Sequence, residues 1–342
     1  MPVTIREVSR RCGLSVSSVS KALNNYPDVR EETREMVHRV AREIGYFPNA
    51  LARGLKTNRT FNLGVLLDDE MGDNVTHAFF AVILNAFRRE AESRGYDITL
   101  INRSIGGQPL SYLKHCRHRR LDGVCLMCVN FANPEAKELA QGDVPSVTID
   151  HPFEETSGVN SDNREGMRLL VGHARAMGHS RIAYIHGTPS FVTDERVAAY
   201  RDAMEESGAP IREDWLAPSH YHSASHAYEA VTRLLAPDGT ARPADRPTCL
   251  LMADDVSALG GMDALRSLGL AVPGDVSIAG FDGVEMIQRI RPRMTTIYQD
   301  ARLIGESAAT LLLERVENPS ASQPRVACVP VSLIEGETVG KL

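Results

Sequence analysis

Two groups of residues in this 342-residue chain have types and spacings suited to chemistry, and they lie far apart. The first is "GLSVSSVSKALNN", residues 13–25, a run of small hydroxyls with one cation. Ser17 and Lys21 are four apart, so a helix places them on one face. There a serine can donate or accept, and a lysine can reach a guanine edge or a phosphate. Val16 beside them has the shape to pack on a methyl group. The second group is Asp150, Arg196, Asp254 and Asp282, each at or just beyond the end of an apolar run. Carboxylates with a guanidinium suit bidentate hydrogen bonding to vicinal hydroxyls. Any one of these aspartates can instead be a loop turn or a helix cap.

Other candidates are weaker. Cys125 and Cys128 form a CxxC, but inside the apolar run "DGVCLMCV", so they read as core packing rather than a redox or zinc pair. His115 and His118 flank Cys116 on a helix of mixed polarity expected at the surface. Asp68, Asp69, Glu70 and Asp73 lack a regular ligand spacing, so a solvated loop is the preferred reading over a cation site. No GxGxxG, P-loop or nucleophile elbow is present. The expectation is therefore no catalytic residue, no metal, no cofactor and no enzyme.

The first group needs helices to present it. Thr4 and Glu7 have capping-box spacing, and Ile5, Val8 and Cys12 then share a face. Gly13 stops that helix and Ser15 can cap the next, whose buried stripe is Val19, Ala22 and Leu23. A third helix follows with Thr33, Met36, Val37, Val40, Ala41 and Ile44 on one side, ended by Gly45. Three short helices with a tight turn between the first two make a helix-turn-helix pattern; a small bundle with a solvated face is the alternative. Charge supports the first reading. Residues 1–60 carry 11 Lys/Arg against 6 Asp/Glu, whereas the whole chain is at −6. A basic head on an acidic body points to a polyanionic partner. Residues 46–60, "YFPNALARGLKTNRT", hold about two helical turns weakened by Gly54, too short to persist alone.

The second group needs strand ends. From residue 61 apolar strands ("FNLGVLL", "YDITLIN", "DGVCLMCV", "VPSVTID", then "RIAYIHG", "PTCLLMA", "DVSIAGFD") alternate with amphipathic helices. Two such series imply two parallel-sheet subdomains, and ligands of such sheets bind beyond the carboxyl ends of the strands. No apolar run is long enough to span a bilayer and the N-terminus lacks a signal-peptide core, so a cytoplasmic protein without membrane contact is expected.

"VTIREVSRRCGLSVSSVSKALNN" and "VREETREMVHRVAREIGYFPNALARGLKTNRT" resemble the DNA-binding head and hinge of the lactose-repressor/galactose-repressor (LacI/GalR) family. The likeness continues through "GHSRIAYIHG", "MADDVSALGGMDAL", "VPGDVSIAGFDG" and "TTIYQDARLIGESAATLLL". It implies an all-α helix-turn-helix head at 1–45, a hinge helix at 46–60, and an α/β core at 61–342 of two parallel-sheet subdomains, similar to type I periplasmic binding proteins. The subdomains are expected at about 61–160 with 291–324, and 161–290 with 325–342, so the chain crosses near 160, 290 and 325. The resemblance implies a homodimer on a palindromic double-stranded operator. Thr4, Ser15, Val16, Ser17, Ser18, Lys21 and Asn24 would contact DNA from the head. Asn49, Ala52, Arg53, Leu55 and Lys56 would do so from the hinge, with Leu55 as a minor-groove wedge. Lys21 stands where arginine is commoner. Asp150, Arg196, Asp254 and Asp282 match effector positions, with Phe79 and Phe80 as an aromatic wall. The implied function is a ligand-responsive transcriptional regulator, expected to be a repressor of sugar-metabolism genes, with a sugar or phosphorylated sugar as the first choice of effector and a purine or nucleoside as the second. A sugar-binding protein without DNA function is the other class. No heptad follows at the C-terminus to build a tetramer.

Overall fold

The computed structural model describes residues 3–46, 59–68, 77–236, 246–319 and 323–342. The chain forms two compact units, Met1–Phe61 and Asn62–Leu342.

The first unit holds α1 (Ile5–Cys12), α2 (Val16–Leu23) and α3 (Glu31–Glu43). Their apolar stripes meet in a small core of Val8, Val19, Ala22, Val37 and Ala41. Gly13 closes α1 at φ +65°, a left-handed conformation that glycine adopts without steric cost. Ser15 caps α2, its hydroxyl accepting from the Ser18 amide at 3.0 Å. The capping box expected at Thr4 and Glu7 does not form. Thr4 precedes α1 without a side-chain cap bond, and the Glu7 carboxylate turns forward to Arg10 and Arg11 one turn on.

The second unit contains two six-stranded sheets. The first series is β1 (Asn62–Asp68), α4 (Ala78–Ser93), β2 (Asp97–Leu100), a short hairpin of β3 (Ser104–Ile105) and β4 (Gln108–Pro109), α5 (Tyr112–Arg119), β5 (Gly123–Val129), α6 (Pro134–Ala140), β6 (Ser146–Ile149) and β7 (Ser157–Ser161). The second is α7 (Asn163–Ala176), β8 (Ile182–His186), α8 (Phe191–Glu206), β9 (Leu216–Pro218), α9 (Ala224–Leu235), β10 (Cys249–Met252), α10 (Asp255–Ser267), β11 (Ser277–Asp282) and β12 (Thr295–Gln299). The chain ends with α11 (Ala301–Glu317), β13 (Val326–Val329) and β14 (Val331–Ile334). The sheet orders are β13-β7-β6-β5-β1-β2 and β14-β12-β11-β10-β8-β9. Within these two sheets pairing is parallel except for β14, which runs antiparallel to β12; the β3–β4 hairpin is antiparallel and separate.

Two crossings differ from expectation. β12 pairs with β11 and β14, so it belongs to the second sheet, and the chain crosses at Asp300 rather than near 290. Thr295, Thr296 and Ile297 are buried there, which fits an inner strand. β13 stays in the first sheet beside β7, so the last crossing falls at Pro330 rather than near 325. The first crossing lies at Asp162. All three run side by side: the Asp162 amide donates to the Val329 carbonyl at 2.9 Å, and Gln299 pairs with Val331.

After the second crossing α11 packs along α4 and over β5, β6 and β7. Gly305 permits this approach, since a Cβ there would lie 2.3 Å from the Ile83 carbonyl oxygen. His115 is also not where the sequence put it. It is 1 % exposed, and its Nδ1 lies 2.6 Å from the Asn102 carbonyl oxygen, so it locks a loop to α5 while His118 faces solvent. The reason is that α5 turns its Tyr112, Leu113, His115 and Cys116 edge inward.

Candidate functional site

In the head, α2 buries Val19 and Ala22 and leaves Ser15, Val16 and Ser17 exposed. Lys21 is half-exposed on the same helix and pairs with Asp28, which raises the lysine pKa and lowers that of the carboxylate. Ser18 donates its amide to the cap and its hydroxyl lies 2.9 Å from that of Ser15. The Asn24 side-chain amide donates to the Ser20 carbonyl at 2.7 Å, closing the end of α2, and Thr4 is exposed ahead of α1. Short side chains and one cation therefore stand on an open helix face, a surface that can enter a major groove. Asn49, Ala52, Arg53, Leu55 and Lys56 lie outside the described residues, as do Asp69, Glu70 and Asp73 of the acidic loop.

In the second unit, strand ends of both sheets border a cavity of about 770 Å³. Phe79 and Phe80, from the first turn of α4, form one part of its wall, packed edge to face. Asp150, Arg196 and Asp282 also line it. Arg196 is 4 % exposed and braced on two sides. Its Nε donates to Asn163 Oδ1 at 2.7 Å, its Nη1 donates to the Ala253 carbonyl at 2.9 Å, and its guanidinium lies 3.5 Å from the centre of the Phe281 ring. Asp282 ends β11 at φ +114°; Gln299 donates to its Oδ1 at 2.7 Å and its Oδ2 has no partner.

Asp254 is the exception among the expected contacts, because it does not line the cavity. It is fully buried and caps α10, accepting from the Ser257 amide at 2.8 Å and hydroxyl at 2.9 Å. Its Oδ2 also accepts from the His222 amide at 2.8 Å, so it holds a cavity residue from beneath. A strand-end aspartate followed by a helix is equally placed to cap that helix, and here capping prevails.

Burial sets the electrostatics. It pushes the Asp150 carboxyl up to about 6 against the opposing pull of Arg196. It raises Asp255, which accepts from Thr296, to about 7. Asp282 is held well above the usual carboxylate range by burial and by the charges of Asp254 and Asp255. Four lining residues, Cys128, Asp150, His222 and Asp282, also sit at positive φ. Non-glycine residues there store about 1–3 kcal/mol each, and such strain gathers at binding sites.

Several lining residues escaped the sequence reading. Phe131 stacks on His151 with centroids 4.6 Å apart and planes 19° apart. Phe191, Tyr221, His222 and Gln299 complete the surroundings. The available signal was position: Phe131 follows β5, His151 follows β6, Phe191 follows β8, Tyr221 and His222 follow β9, and Gln299 ends β12. The strand-end rule covers aromatic and amide residues as well as carboxylates.

Comparisons with known proteins bear on both surfaces. The family "Bacterial regulatory proteins, lacI family" matches residues 4–49, and "Periplasmic binding protein-like domain" matches residues 171–339. The "HTH-type transcriptional repressor PurR" of Vibrio campbellii is 31% identical, covering 99% of this chain and 99% of its own. The chain belongs to the LacI family. PurR of Escherichia coli O1:K1 / APEC is 31% identical over 98% of this chain and 96% of its own. The lac repressor dimer bound to operator and the anti-inducer ONPF superimposes with a TM-score of 0.77 at 25% identity, covering 99% of this chain and 100% of that one. The complex of the transcriptional regulator CelR with cellobiose gives 0.71 at 25% identity, covering 98% and 99%. As a LacI-family member the chain is a DNA-binding transcriptional repressor rather than an enzyme. Among the described residues no helix is long and apolar enough to cross a membrane.

Proposed function

We propose that this LacI-family chain is a cytoplasmic, homodimeric repressor that reads a palindromic operator and responds to a neutral carbohydrate. The observation that carries the carbohydrate reading is the meeting of Asp150, Asp282 and Arg196 in one aromatic-walled cavity. Carboxylates accept from paired hydroxyls, and aromatic faces cover the apolar side of a sugar ring. Among the described lining residues Arg196 is the single Lys or Arg, and it is already engaged on two sides, which disfavours a phosphorylated sugar. The cavity volume suits a ligand of drug-like size, and a free base would fill a fraction of it. A purine is the second reading, favoured by the PurR relatives and the parallel Phe131–His151 pair.

On this reading Val16, Ser17 and Lys21 read the major groove, while Asn49, Ala52, Arg53, Leu55 and Lys56 serve the minor groove. The effector favours one arrangement of the two subdomains and thereby alters operator affinity. The test is anisotropy of a labelled palindromic duplex, selected from a random library, titrated with the full chain and then with sugars and purines. A mono- or disaccharide should shift operator affinity at least tenfold, and Lys21→Ala should weaken operator binding by about 1–3 kcal/mol. A response to purines alone overturns the carbohydrate reading in favour of the second one.

A further inference from the structure

The effector reading uses Asp282 but gives no role to two histidines beside it at the cavity's edge. His77, at the start of α4, comes from the first subdomain. His222, between β9 and α9, and Asp282, at the end of β11, come from the second. One ligating atom from each lies within 4.8 Å of those of the other two. The two imidazole centroids are 3.9 Å apart, and Phe80 packs against both rings. Both ring nitrogens of His77, Nδ1 of His222 and Oδ2 of Asp282 are buried and have no hydrogen-bond partner. Asp282 is 5 % exposed, so it is a buried carboxylate with one oxygen unused. Buried polar atoms are rarely left unpaired, and here several unpaired ones converge on one point.

We propose that His77, His222 and Asp282 hold a divalent transition-metal ion of the zinc class, which joins the two subdomains across the cleft. Two imidazoles and a carboxylate are the donor set such ions prefer, and three protein ligands leave a position open toward the cavity. Outer contacts that orient metal ligands are also present. Gln299 fixes Asp282 through Oδ1 and leaves Oδ2 free. The buried Asp254 anchors the His222 main chain and lies 3.9 Å from its Nδ1. Ligands around a tetrahedral zinc stand about 3.4 Å apart. The three ligating atoms lie within 4.8 Å of one another, so a bound ion would tie His77 of the first subdomain to the second. The proposal goes beyond the effector reading and stands for either a carbohydrate or a purine occupant.

The experiment uses the full chain stripped with chelator. Zinc is titrated by calorimetry and cobalt by visible absorption. We expect one ion per chain, sub-micromolar zinc affinity and ligand-field bands of a four- or five-coordinate cobalt site. His77→Ala, His222→Ala and Asp282→Asn should each weaken zinc binding at least tenfold, whereas His118→Ala, on the exposed side of α5, should leave it unchanged. Circular dichroism and metal-free melting check that each variant folds; if one does not, the remaining variants and the wild-type cobalt spectrum still decide. Absence of a stoichiometric ion, or an affinity untouched by every folded variant of the three ligands, overturns the site. Sugar and purine titrations of stripped and zinc-loaded chain separate the two claims. Zinc binding without any sugar response removes only the carbohydrate reading, and sugar binding without a stoichiometric ion removes only the metal.

Discussion

At the residue scale, Asp150 shows how position changes the work a carboxylate does. It lines the cavity at φ +64°, and burial lifts its pKa to about 6 despite the attraction of Arg196. In the unfolded chain the same group ionises near 3.8. A folded-state pKa above the unfolded one means that the native protein holds the proton more tightly. The stability linked to Asp150 is therefore complete below about pH 4 and is lost as pH rises through about 6, a change of at most about 3 kcal/mol. Asp150→Asn should flatten that decline. Urea unfolding near pH 5 and near pH 8 provides the check: wild type should lose more stability over this interval than the variant. Equal losses would show that Asp150 titrates as an ordinary exposed aspartate. An effector whose hydroxyls donate to Asp150 favours its ionised form, so binding near pH 5 should release a proton.

Among the elements, α2 shows how much the sequence disclosed and where it stopped. The stripe of Val19 and Ala22, the Ser15 cap and the Gly13 turn were legible because they depend on local spacing and local hydrogen bonds. Ser15→Ala should cost the head about 1 kcal/mol and weaken operator binding through a frayed helix start. Thermal unfolding followed by circular dichroism and operator anisotropy would measure the two effects, and an unchanged melt would remove the cap from the account. The Thr4–Glu7 box was misread because Arg10 and Arg11 compete for the same carboxylate. The alternation of strands and helices was legible, and so was the edge of the cleft at Asp150, Arg196 and Asp282. Asp254 was not, because a cap and a ligand contact look alike at a strand end. β12 was assigned to the wrong side of a crossing because an inner strand carries no mark of which sheet it joins; only pairing with β11 and β14 decides that. His77 meets His222, and Phe131 meets His151, through long-range folding, which no local spacing encodes.

For the whole molecule, the proposed function requires coupling of effector to operator, and the places that can bend for it are where the chain passes between subdomains. The first two crossings have the same construction. A strand ends, an aspartate with ψ near 80° follows, and that aspartate caps the helix that comes next, in the other subdomain. Asp162 accepts from the Glu165 amide at 3.0 Å, and Asp300 accepts from the Leu303 amide at 2.9 Å. The third crossing, at Pro330, is bonded to the first and paired with the second. Any rotation of one sheet relative to the other must therefore turn the backbone at these neighbouring points. Asp162→Ala and Asp300→Ala should each lower stability by about 1 kcal/mol, the usual loss for a missing cap. They should also shift the ligand concentration that gives half of the operator response, because a freed helix start changes the balance between the two subdomain arrangements. Asp162→Ser and Asp300→Ser retain a capping oxygen and should restore both properties toward wild type. Urea unfolding and ligand-titrated operator anisotropy on the same preparations separate a stability effect from a switching effect. Lowered stability with an unmoved half-response in both alanine variants would place the hinge away from these aspartates and leave them as ordinary helix caps.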